Sequence, residues 1–153
     1  SSGLPYATFF ASAGTPSQMP RKVSRTQRCN PTEARTRLRH AETYLEVAEL
    51  VLHQEGDDEA TVATGNAVLA GIAAADAICC ATAGTRHRGP EHRQAADHLE
   101  KVTGDPKLGR LLRDLCDLKD AGHYGLANIS TSRAKAALRK ADQLVTAARD
   151  RVR

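Results

Sequence analysis

Four residues near one another could do acid–base chemistry on a phosphate ester: Lys119, Asp120, His123 and Tyr124, in the run Leu118-Lys-Asp-Ala-Gly-His-Tyr-Gly125. An imidazole, with an ordinary pKa of about 6.5, takes or gives a proton near neutral pH. A lysine ammonium is a compact charge that neutralises phosphate, though it lacks the bidentate fork of arginine. Asp120 and Tyr124 could orient both. If the preceding helix continues through Gly122, Lys119 and His123 lie one turn apart, about 40° apart around the axis. If Gly122 ends the helix instead, the two cations only complement the negative end of its dipole, and Tyr124 becomes a packing anchor. A second group lies in Gly84-Thr-Arg-His-Arg-Gly-Pro90 and just beyond it. Arg86 and Arg88 flank His87, and His92 and Arg93 follow, so Arg86, Arg88 and Arg93 could hold phosphate; a solvated basic turn is the plainer alternative.

Other chemistries find little footing. There is no phosphate-cradling glycine loop, no H-E-x-x-H and no nucleophile elbow. No cofactor or metal is expected. Cys29, Cys79, Cys80 and Cys116 form no CxxC pair, and on a helix Cys79 and Cys80 point about 100° apart, which disfavours a shared metal. They read as reduced thiols of a cytoplasmic protein. The net charge of +4 comes from Arg21, Lys22, Arg25 and Arg28, ahead of the first acid, Glu33. The rest of the chain is balanced, so its charge alone names no partner. Asp76 interrupts the longest apolar run, and no membrane span is expected.

The elements that must position these residues are helical. Only 3% of residues are aromatic, and the apolar positions are mostly Ala, Leu, Val and Ile, a composition suited to closely approaching helices. Residues 1–29, rich in Ser, Thr, Pro and Gly, read as a disordered basic tail. Asn30, Pro31 and Glu33 form a helix start, followed by Ala34, Leu38, Ala41, Leu45, Ala48 and Leu52 on one face. Asp57 or Asp58 caps a second helix to about Ala83, so rich in small residues that it should be central. In it Asp76 lies either on a solvent strip, the preferred reading, or against a buried cation. A third helix begins at Pro90 and closes at Gly104, a fourth follows Asp105-Pro106, and a fifth follows Ser130 or Thr131. No segment alternates as a strand does. The fold class expected for residues 30–153 is all-α, an up-and-down bundle of four to five helices.

Two segments of that bundle are similar to the HEPN superfamily of small helical domains. Asn66-Ala-Val-Leu-Ala-Gly-Ile-Ala-Ala-Ala-Asp-Ala-Ile78 resembles its small-residue helix, and Leu118-Lys-Asp-Ala-Gly-His-Tyr-Gly125 resembles its Leu-Arg-Asn-x-x-Asp-Tyr-Gly segment. The resemblance implies a HEPN-like bundle of a toxin–antitoxin or defence system. It also implies a homodimer, RNA as the ligand, and an antitoxin or nucleotidyltransferase-like protein as partner. The implied activity is metal-independent endoribonuclease chemistry, in which a cation steadies the charged phosphorus and a histidine moves protons. The motif is degenerate here: Lys119 replaces the usual Arg, and His123 follows sooner than the family's His. The alternative is an inactive helical interaction module that binds a partner protein or a nucleotide.

Overall fold

The computed structural model describes residues 25–124 and 128–153, with the side chains of 120–124 outside the described set. Its described elements are β1 (Thr26–Arg28), α1 (Pro31–Leu52), α2 (Asp57–Ala83), β2 (Thr85–His87), α3 (His92–Thr103), α4 (Pro106–Tyr124) and α5 (Thr131–Arg151). The chain is thus an all-α helical bundle, with one small sheet added to it.

The helix starts follow local chemistry. Asn30 Oδ1 accepts from the Glu33 amide at 2.8 Å, with Pro31 at the first position, where its missing N–H costs nothing. Ser130 Oγ accepts from the Arg133 amide at 3.2 Å, and Asp105 Oδ1 from the Lys107 amide at 2.9 Å. For α2 the cap is Gly56, not an aspartate; Asp57, Asp58 and Glu59 instead fill the first turn, where their charge meets the positive end of the dipole. Gly84, at φ 68°, ends α2 in the left-handed conformation that a Cβ would disfavour.

α2 packs against each of the other four described helices. From Ala73 to Cys80 every residue of it is buried, so there is no solvent strip for Asp76 to occupy. This corrects the preferred reading of that residue. α2 is also long and apolar enough to cross a bilayer, against the expectation that Asp76 keeps every run too short; within the bundle 61% of the relevant window is buried. Around it Leu45 and Ala48 of α1, Leu99 of α3, Leu112 and Leu115 of α4, and Leu144 and Val145 of α5 close the core.

The sequence reading contains no strand, yet β1 and β2 pair antiparallel, Thr26 opposite His87, Gln27 opposite Arg86 and Arg28 opposite Thr85. The expected tail, residues 1–29, therefore contributes Thr26–Arg28 to the packed unit; its residues 1–24 lie outside the described residues. Three-residue strands carry too little pattern to register as alternation. Cys29, next to β1, forms a disulfide with Cys80 across 51 positions, with the Cα atoms 5.4 Å apart. This corrects the expectation of reduced thiols for Cys29 and Cys80; Cys79 and Cys116 form no disulfide. The divergence of Cys79 and Cys80 on the helix explains the choice: one side chain faces the N-terminal arm, while Cys79 faces a cavity on the other side.

Candidate functional site

That cavity, about 380 Å³, lies where α1, α2, β2, α3 and α4 converge. Its walls are apolar and built from helical faces: Leu69, Ile72, Ala75 and Cys79 from α2, Leu112 and Cys116 from α4. Burial and the nearby Asp76 carboxylate push the Cys79 thiol up to about 12, so it is a wall and not a nucleophile. Around this floor stand Arg37 from α1, Arg86 and His87 from β2, Arg88 just after it, His92 and His98 from α3, and Lys119 from α4.

Asp76 organises the cationic side. Its Oδ2 accepts from Arg37 Nε at 3.0 Å and lies 2.9 Å from Arg37 Nη2, and Arg86 Nη1 approaches the same oxygen at 3.4 Å. Arg86 Nη2 also donates to Gln27 Oε1 at 3.1 Å, so β1 holds the far side of that guanidinium. Burial raises the Asp76 carboxyl above its ordinary value, while Arg37 and Arg86 pull it down only in part. One carboxylate faces two guanidiniums, which leaves an uncompensated positive charge before Arg88 and Lys119 are added. A dry wall with excess cations at its edge attracts an anion that also carries an apolar part.

His87 is the unusual member. Both of its ring nitrogens are buried without a hydrogen-bond partner. Burial lowers its pKa, and the neighbouring His98 adds to that effect. A neutral imidazole is therefore favoured in the folded state, and stability from this group is present above the unfolded value of about 6.5 and lost as pH falls. We expect urea unfolding to show stability declining from pH 7.5 to 5. His87→Phe should remove up to one proton's worth of that slope, about 1.4 kcal/mol per pH unit. An unchanged slope would show that His87 is solvated in the native protein.

The structure brings together members of both groups singled out in the sequence. Arg86 and Arg88 from one, and Lys119 from the other, line the same cavity. Arg93 does not; it faces a separate, more open hollow of about 760 Å³ with Asp97, His98 and Lys101. It stands one residue after His92 on α3, about 100° further around the axis. α4 runs helical to Tyr124, so Gly122 does not terminate it. The side chains of Asp120, His123 and Tyr124 lie outside the described residues. Arg37, Asp76 and His98 are additions that sequence reading did not select; His87 lay within the basic loop it singled out, with no role assigned to it. Asp76, a lone charge in an apolar helix, was the one signal present. Among the described residues, no three His, Cys, Asp or Glu are grouped to hold a metal. Comparison with protein-family models and with curated proteins finds no match to this chain.

Proposed function

We propose that this bundle binds single-stranded RNA, with a phosphate group at the Arg86, Arg88 and Lys119 edge of the cavity and a base against its apolar wall. The observation that carries this reading is the meeting of those three cations, from two distant parts of the chain, over one dry floor. A nucleotide unit has the matching halves: an anion and a flat, weakly polar ring. Imidazoles at the same cavity, His92 and His98, supply groups that can shuttle protons, so metal-independent cleavage is the activity to assay. The HEPN-like identity, the toxin or defence role, the homodimer and the antitoxin or nucleotidyltransferase-like partner belong to the same proposal and rest on the sequence resemblance.

The test is binding of a short fluorescent single-stranded RNA in EDTA, followed by anisotropy and by gel for cleavage. Arg88 is exposed and Lys119 half-buried, and among the described residues neither side chain forms an ion pair, so each can be replaced without disturbing the fold. Arg88→Ala and Lys119→Ala should each weaken binding about tenfold and reduce the salt slope by a little under one unit. Wild-type protein that binds no RNA, or variants that bind as wild type does, would refute the reading. The alternative, an inactive interaction module, is favoured by the exposed apolar side chains Val62 and Leu69, seven positions apart on α2 at 53% and 39% exposure. Under it, Val62→Ser with Leu69→Ser would abolish partner capture while RNA had no effect.

A further inference from the structure

The strand that carries Arg86 and His87 has little of its own to hold it. A two-stranded pairing three residues long is not stable by itself in water. Here it is supplemented by the Cys29 amide donating to Gly84 O at 2.9 Å and the Arg88 amide donating to Arg25 O at 2.8 Å. The one covalent tie is Cys29–Cys80, which fixes the end of β1 to the buried Cys80, three residues before the end of α2. Through β1, that tie also keeps Gln27 against the Arg86 guanidinium.

We propose that the Cys29–Cys80 disulfide is a redox switch for the cavity: oxidised, it straps β1 to β2 and sets the cationic edge; reduced, it lets β1 go and disperses that edge. The inference rests on the reading of the cavity as a phosphate site. The reductant is a dithiol. Its thiolate attacks the Cys29 sulfur, since Cys29 is half-buried and Cys80 is buried. The S–S bond breaks, Cys80 leaves as thiolate and takes a proton, and a mixed disulfide joins Cys29 to the reductant. The second thiol of the reductant displaces Cys29, which is released as a thiol. The protein gains two electrons and two protons, and the reductant becomes a cyclic disulfide. Cys79, next in sequence, does not divert the exchange, because burial keeps its thiol protonated. The core cluster of the helices includes neither Cys29 nor Cys80, so the helices do not depend on the strap.

Oxidised protein and protein reduced with dithiothreitol are compared in two measurements. Deuterium uptake in peptides spanning 25–29 and 85–88 should rise about tenfold in rate on reduction, with α5 unchanged. Affinity for the short single-stranded RNA should fall about tenfold and return on reoxidation. Cys29→Ser should match the reduced protein and ignore the dithiol. Unchanged uptake at 25–29 and 85–88 overturns the switch whatever RNA does. So does faster uptake with unchanged affinity. Oxidised protein that binds no RNA refutes the phosphate reading instead, and the uptake result then decides alone whether the strap depends on the bond.

Discussion

Protein carrying Cys29→Ala and Cys80→Ala is expected to unfold in urea with a free energy about 4 kcal/mol below that of the oxidised wild type. The bond joins positions 51 apart, so it removes much of the freedom the unfolded chain would have. In the chain-entropy description that loop length corresponds to about 4 kcal/mol, all of it acting on the unfolded ensemble. A domain of this size has a stability on the order of 10 kcal/mol, so the variant should still fold. That margin separates the global effect from the local one: losing the bond lowers the midpoint but leaves the helices assembled at zero denaturant. The variant should also show a larger m value, because its unfolded chain is more expanded. Reduced wild type should give the same curve. A midpoint unmoved by either treatment would mean that the bond contributes nothing to the fold and that the strap has no leverage.

What the sequence made legible, and what it did not, divides along the range of the interactions. Asn30, Ser130 and Gly104 mark helix ends by contacts within three or four residues, and all three act as expected. The small-sided α2 was readable as central because its composition leaves no polar face. Pairing between distant positions was not readable. Arg37 meets Asp76 across 39 positions, and on its own helix it is indistinguishable from the charged outer face formed by Arg35 and Arg39. The strands are two short segments that become strands only by meeting each other. Cys29 looked like part of a tail because nothing local announces a partner in another helix. At the site, Arg86, Arg88 and Lys119 were found by residue type, whereas their convergence came from tertiary packing. The same ignorance of packing put Arg93 with them, although α3 turns it into another hollow.

The packing that sets the cavity wall can be tested at one contact, between Gly71 of α2 and Leu115 of α4. A Cβ at position 71 would fall 2.6 Å from Leu115 Cδ1 and 3.3 Å from Leu144 Cδ1, so a methyl there must move the packed end of Leu115. Leu115 is fully buried, and Leu115→Ala should cost about 3 kcal/mol through lost burial and the space left behind. Gly71→Ala gains about 1 kcal/mol of helix propensity but forces Leu115 aside, and the strain of overpacking outweighs that gain by about 1 kcal/mol. Together the two changes compensate, since the new methyl occupies the volume the leucine vacates. The double variant should therefore be about 1–2 kcal/mol more stable than the sum of the singles predicts, measured as a double-mutant cycle in urea. Additive losses would mean that the helices adjust elsewhere and the contact is slack. Leu112 and Cys116, on either side of Leu115, wall the cavity, so Gly71→Ala alone should also displace α4 and with it Lys119. RNA affinity should then drop in that single variant and recover in the double, a pattern that a purely structural role for this contact does not produce.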